Sequence, residues 1–274
     1  MTTRPATEAR PTDPAAQRVT LARVVRSEWT KLRSLPSTAW SLLAAVAMIV
    51  GFGALYSLLR VTRPPSDPAA VAAFDPTAVS LAGVQLAQLA VGVLGVLLVV
   101  GEYATGTIRV SLAAVPRRLP VLWGKAAVVG LATLGLCLPA VLVAFLVGQS
   151  ILEAERLDIA LRHPGVARAV LGSALYLTVI GLLGLGLGAL LRGTAGAIAA
   201  LFGVLFAPQI VAGFLPDTWS DRVYPYLPVP AGVAVSNVRD DPTALAPWTG
   251  FGLLCLYTAV ILALAAWQLR RRDA

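Results

Sequence analysis

The residue types that carry most enzyme chemistry are scarce in this chain, and none of them forms a recognisable catalytic group. The two lysines, Lys31 and Lys125, lack the preceding Gly-x-x-x-x-Gly and the following Ser or Thr of a phosphate-binding loop. The single histidine, His163, has no Cys or carboxylate at metal-ligand spacing, and there is no Gly-x-Ser-x-Gly nucleophile elbow. We therefore expect no catalytic residue, no metal site and no bound cofactor. If the protein uses ATP, another polypeptide must bind it.

The most polar side chains within the apolar stretches are three glutamines, and two cysteines also lie there. Gln85, Gln88 and Gln209 can either make hydrogen bonds between helices or line a substrate route. Cys137 and Cys255 are expected to be buried small hydrophobic residues and not a disulfide pair. No Asp, Glu, His, Lys or Arg lies clearly inside an apolar stretch. This argues against a carrier driven by ions or protons, which places ionisable groups near the midplane.

Six apolar stretches position these residues, and each is long enough to cross a bilayer. The chain is 57% hydrophobic and 13% charged, and its mean hydropathy is +0.78. Because lipid offers no hydrogen bonds to the backbone, we expect helices and an all-α polytopic membrane protein. The predicted spans cover residues 39–59, 79–100, 126–147, 170–191, 195–215 and 248–269.

The distribution of charge predicts the orientation of the six spans. If the N-terminus is inside, fifteen of the 22 Lys and Arg residues fall in inner segments, and nine of the 14 acidic residues fall in outer ones. Both termini are therefore expected in the cytoplasm. The net charge of +8 then indicates topology and contact with anionic lipid, not nucleic acid. Residues 1–18 have the composition of a disordered cytoplasmic tail.

Residues 19–36 have the pattern of a basic amphipathic helix on the inner membrane surface. Leu and Val residues with Trp29 share one arc at 100° per residue, while the opposite arc is basic, and Pro36 ends the helix. Glu28 breaks the pattern because it projects into the apolar arc. It can pair locally with Lys31, or make a buried contact with the next inner loop or a cytoplasmic partner.

The inner loop at residues 101–118 follows the second span. Residues 107–115 are long enough for about two helical turns, with Thr105 or Thr107 as N-cap and Pro116 as terminator. A helix so short has few contacts of its own, and we expect it to dock on another surface. Glu102 stands at the membrane edge, with Arg109 beyond it.

Two motifs in these segments resemble the permease subunits of type-2 ABC exporters, especially a compact bacterial subgroup. They are Ser27-Glu-Trp-Thr-Lys-Leu-Arg-Ser34, and Glu102-Tyr-Ala-Thr-Gly-Thr-Ile-Arg109 followed by Pro116-Arg-Arg118. The resemblance runs from about residue 19 to the C-terminus. It implies that residues 19–36 form an elbow helix and that the first inner loop is a coupling helix seated on the ATPase subunit. The elbow residues implied are Glu28, Trp29, Lys31 and Arg33. The coupling residues implied are Glu102, Tyr103, Thr105, Gly106, Thr107, Arg109, Arg117 and Arg118.

The resemblance also implies the partners and the cargo pathway. It implies a separate ATPase carrying ATP and magnesium, a dimer of permeases, and residence in the bacterial plasma membrane. The outer loop before the last span, rich in Pro and aromatic residues, is expected to hold re-entrant helices or an interfacial aromatic belt. The cargo is expected to be hydrophobic or amphipathic, since the spans lack charge. A secondary transporter and a non-transporting scaffold or sensor subunit are the alternative interpretations.

Overall fold

Long apolar helices make up most of the chain, as the hydropathy pattern predicts. The computed structural model describes residues 21–34, 36–63, 67, 71, 74–104, 119–239 and 243–271, and these contain no β-strand. The helices are α1 (Leu21–Ser34), α2 (Pro36–Thr62), α3 (Pro76–Ser80), α4 (Gly83–Ala104), α5 (Leu119–Leu152), α6 (Val166–Leu191), α7 (Thr194–Ala212), α8 (Asp217–Val223), α9 (Pro228–Val233) and α10 (Pro247–Arg271).

Six of these helices are long and apolar enough to cross a membrane, which confirms the predicted all-α, six-span fold preceded by an N-terminal helix. They are α2, α4, α5, α6, α7 and α10. Their ends differ from the predicted span ends because local signals override hydropathy. The second membrane helix, α4, starts only at Gly83, because the residues before it form the separate short helix α3. Asp75 caps α3: its carboxylate accepts hydrogen bonds from the backbone N–H of Thr77 at 2.8 Å and of Ala78 at 3.1 Å. The third begins at Leu119, well before residue 126.

The fourth membrane helix, α6, is the centre of the bundle. In its most apolar window 78% of the residues are buried, against 22% in α2 and α7 and 28% in α10. Helices α4, α5, α7 and α10 all pack on it. The outer helices therefore present most of their apolar surface to the surroundings, as expected for a bundle in lipid.

Small residues set the distance between α4 and α6. A Cβ at Gly184 would overlap the carbonyl of Gly92, and one at Gly95 would overlap the carbonyl of Gly181. The backbones meet directly, so Gly184-x-x-x-Gly188 is a packing motif between these two helices. Helices α2 and α4 also approach closely, where α2 forms a π-helical turn at Met48–Phe52. Gly83 at the start of α4 lies against the backbone carbonyls of Met48 and Ile49 in that turn.

The outer loop before the last span folds back into the bundle. Its segment 228–236 comprises α9 and a 3-10 turn, and it packs between α6 and α10. Gly232 lies against Tyr176 and Leu254, and the Ser173 hydroxyl donates to that of Ser236 at 2.9 Å. Tyr176 is ten residues into α6, about 15 Å from its start. This depth favours the re-entrant interpretation, while Trp219 and Tyr224 stay exposed at the rim.

The glycine contact between α4 and α6 yields a stability prediction. Gly184→Ala should lower the melting temperature of the purified protein, because the added methyl group forces two backbones apart. Gly203→Ala on α7 is the matched control, since a Cβ there meets nothing within 4 Å. The control should be neutral or stabilising by up to about 1 kcal/mol, because Ala is the better helix former. Equal melting temperatures for the two variants would contradict the proposed contact.

Candidate functional site

Four ionisable side chains from three helices meet at one end of the bundle and form an ion network. Lys125 on α5 donates to Glu28 Oε2 on α1 at 2.6 Å and lies 2.7 Å from Glu102 Oε1 on α4. Lys31 donates to Glu28 Oε1 at 2.8 Å and to Glu102 Oε1 at 2.9 Å. Each lysine thus bridges both carboxylates, and the formal charges sum to zero.

Packing of α1 against α5 brings the network together. Val24 on the apolar face of α1 lies against Gly124, where a side chain of any size would collide with it. Glu28 follows one turn after Val24, and Lys125 follows Gly124 directly. The two charges therefore meet because a glycine lets the helices approach closely.

Burial makes the network costly to break. The side chains of Glu28 and Lys125 are each 6% exposed and that of Glu102 is 13% exposed, whereas Lys31 is 41% exposed. Removing one partner of a buried ion pair typically costs about 3–5 kcal/mol, because the other charge is left without compensation. The exposed Lys31 contributes less, since solvent screens it.

The charge state of Lys31 follows from two opposing effects. Burial lowers the pKa of its ammonium group, but hydrogen bonds to Glu28 and Glu102 and their negative charges raise it by more, so the net pKa lies above its usual value. Lys31 is therefore protonated at neutral pH. Its contribution to stability is full below the unfolded pKa and is lost only as the pH rises through the higher folded pKa.

The network combines both sequence interpretations of Glu28. This residue makes the local pair with Lys31 and also a buried contact across the bundle. Its buried partner, Lys125, was absent from the predicted elbow and coupling residues. Helix α4 extends through Glu102 and α5 begins before Lys125, so both charges lie on membrane helices just beyond the predicted span ends at residues 100 and 126. One feature of the sequence could have pointed to Lys125: it and Lys31 are the only lysines in the chain.

The network brackets the first inner loop. Glu102 stands in the last turn of α4, before the loop, and Lys125 in the second turn of α5, after it. The predicted coupling residues Thr105, Gly106, Thr107, Arg109, Arg117 and Arg118 lie outside the described residues, and their roles stay predictions.

The remaining predicted residues near this end lie around the network. Tyr103 packs under Arg192, whose guanidinium carbon is 5.3 Å from the ring centre, and this links α4 to the connection between α6 and α7. Trp29 is 39% exposed and Arg33 is also exposed, so both face away from the network.

The three glutamines do not converge on one route. Gln88 is buried and accepts a hydrogen bond from the Tyr176 hydroxyl, a contact between α4 and α6. Its amide nitrogen donates to the carbonyl of Gln85 at 2.8 Å. Gln209 donates to the carbonyl of Leu205 in its own helix at 2.7 Å. The interhelical interpretation therefore holds for Gln88, and the substrate-route interpretation of all three residues stays a prediction.

The described residues offer no other reactive group. Within them, no three His, Cys, Asp or Glu side chains are grouped closely enough to hold a metal ion. Cys137 and Cys255 are free, and Cys137 is fully buried. The ion network is thus the chemical feature that distinguishes this end of the bundle.

Comparison with known protein families assigns the membrane domain. Residues 40–274 match the family model described as "ABC-2 family transporter protein". The match covers all six membrane helices and leaves out α1. No curated protein sequence matches the chain significantly.

Burial within the network predicts unequal roles for the two lysines. Lys125→Met should lower the free energy of unfolding by about 3–5 kcal/mol, because it removes the buried cation that pairs with the carboxylates of Glu28 and Glu102. Lys31→Met removes the same charge from a more exposed position and serves as the control, with a smaller loss. Unfolding of the purified protein in mild detergent measures both.

A double-mutant cycle tests whether the loss at Lys125 arises from its pair with Glu28. Adding Glu28→Gln to Lys125→Met should cost less than the sum of the two single losses, by about 0.5–3 kcal/mol. Strictly additive losses would show that the two side chains do not stabilise each other.

Proposed function

The chain belongs to the ABC-2 family of transporter proteins and is a membrane permease of an ABC transporter, and we propose that it is the exporter subunit through which a separate ATPase drives transport. The observation that carries this proposal is the ion network, which ties α1 to both helices that bracket the first inner loop. A force applied to that loop reaches α1, α4 and α5 together.

In this proposal the loop at residues 105–118 is seated on the ATPase. Closure of the ATPase on ATP displaces the loop, and the network transmits the displacement to α1, α4 and α5 as one unit. Helix α4 packs against the central α6 through direct backbone contact, so the motion continues into the bundle. Coupling requires contacts that differ between the two states, and the docked loop supplies them.

The distribution of charge supports an energy source outside the membrane domain. Apart from Glu102 and Lys125, the ionisable residues in the described spans lie in or near their end turns. Glu102 and Lys125 are themselves mutually neutralised at one end. A carrier driven by ions places titratable groups near the middle of the membrane, which disfavours the secondary-transporter alternative.

The same distribution supports a hydrophobic or amphipathic cargo, because the bundle offers no charge to a hydrophilic one. Export, a dimer of permeases and residence in the bacterial plasma membrane with both termini in the cytoplasm belong to the same proposal. The folded-back segment 228–236 then closes the outer end of the pathway.

Co-purification tests the proposed partnership. When the protein is expressed from its native locus and isolated in mild detergent, we expect a stoichiometric ATPase of the ABC class. Its reproducible absence, with the permease intact, would favour a non-transporting scaffold or sensor subunit.

The coupling role predicts that Glu102→Gln separates ATPase binding from ATPase control. The variant should still co-purify with the ATPase, because the docking loop is unchanged. The effect of the permease on the rate of ATP hydrolysis should nevertheless fall about fivefold or more, within the usual range of coupling between sites. Hydrolysis by the purified complex in nanodiscs measures this effect.

A matched carboxylate supplies the control for that variant. Glu153→Gln changes an exposed carboxylate in the turn after α5, at the other end of the bundle, and should leave hydrolysis unchanged. Equal rates of hydrolysis in wild type and Glu102→Gln would contradict the coupling role.

A further inference from the structure

A cavity of about 500 Å³ lies beside the ion network, between α1, α4 and α5 and the start of α2. Its walls are mostly apolar and include Leu32, Leu97, Leu98, Val128 and Val129. Its polar end is formed by the network together with Ser34 and Ser37. Such a space combines an apolar compartment with a charged rim, which suits an amphiphile.

The cavity opens where α1 meets α2. Ser34 and Ser37 are exposed, and Leu97 is partly exposed on α4, whereas Val128 and Val129 form a buried wall. The opening therefore faces the end of the bundle where the basic α1 lies, the position of the inner leaflet in the predicted topology. A molecule with its head at the membrane surface can enter there with its tail.

The sign of the exposed charge at the rim of the cavity determines which kind of headgroup can bind there. Glu28, Lys125 and Glu102 are all shielded, and the most exposed charge of the network is the ammonium group of Lys31. An anionic headgroup is attracted by this ammonium group, and the Ser37 hydroxyl can donate a hydrogen bond to it.

We propose that this cavity binds an anionic phospholipid of the inner leaflet, with its acyl chain against Leu97 and Val128 and its headgroup at Lys31 and Ser37. The lipid is a resident ligand and not the cargo. Its position against Glu102 and Lys125 lets it stabilise the arrangement of α1, α4 and α5. This binding needs only the described cavity and does not depend on the proposed export function.

Lipid-dependent stability tests the proposal without the ATPase. The full chain is placed in nanodiscs of phosphatidylcholine alone or of phosphatidylcholine with phosphatidylglycerol, and thermal unfolding is measured. A ligand that binds only the folded state raises the melting temperature. We expect phosphatidylglycerol to raise that of the wild type by about 2–4 °C or more.

Two variants remove the site in different ways. Leu97→Trp fills the apolar compartment from its partly exposed wall. Ser37→Glu puts a negative charge at the rim, and a carboxylate in the first turn of α2 favours the helix, so the fold is preserved. In both variants phosphatidylglycerol should no longer raise the melting temperature, and both should still unfold cooperatively in phosphatidylcholine alone.

Matched controls separate the cavity from general attraction to a charged surface. Leu131→Trp adds the same ring at an exposed position on α5, and Ala39→Glu adds the same charge two residues beyond Ser37; neither residue lines the cavity. Both controls should keep the rise in melting temperature. The proposal is overturned if the wild type shows no rise, if Leu97→Trp keeps it, or if Ser37→Glu and Ala39→Glu respond alike.

Discussion

Buried opposite charges have to stay together, and this constraint organises the end of the molecule where α1, α4 and α5 meet. Glu28 and Lys125 are almost completely removed from solvent, at a cost of several kcal/mol per ion that only close, well-directed partners offset. The partners come from α1, α4 and α5, and separating any one of these helices would expose an uncompensated charge to an apolar environment. The network therefore keeps three helices in one arrangement although hydrophobic contact does little to hold helices together in lipid.

The rest of the bundle depends on contacts of a different kind. Around α6, glycines such as Gly184 let backbones touch, and the folded-back segment 228–236 fills the space between α6 and α10. These contacts are mostly apolar, with a hydrogen bond between Ser173 and Ser236, and they are spread along the bundle. The charged side chains of the ion network lie where α4 ends before the first predicted inner loop and where α5 begins after it. This position agrees with the proposed role of that loop in an ABC-2 family permease.

Local patterns in the sequence were sufficient for the fold but not for the site. Continuous apolar stretches predict six helices because lipid demands internal backbone bonding, and Glu28 stood out because it interrupts an apolar arc. Its partner Lys125 is 97 residues away, and nothing local specifies that pairing. The contact depends on Gly124, whose role appears only once α1 lies against it. Helices α4 and α5 run past the predicted span ends for a related reason: hydropathy falls at Glu102 and Lys125, but the ion pair between them lets both helices include a charge.

The central claim is that the network makes α1, α4 and α5 move as one unit when the ATPase binds ATP. Spin labels at Arg33 and Trp123, both exposed, report the distance between α1 and α5, and labels at Trp123 and Trp267 report that between α5 and α10. Pulsed electron resonance on the complex, with Cys137 and Cys255 replaced, should show an unchanged first distance and a changed second distance on ATP trapping. A first distance that changes as much as the second would contradict the account.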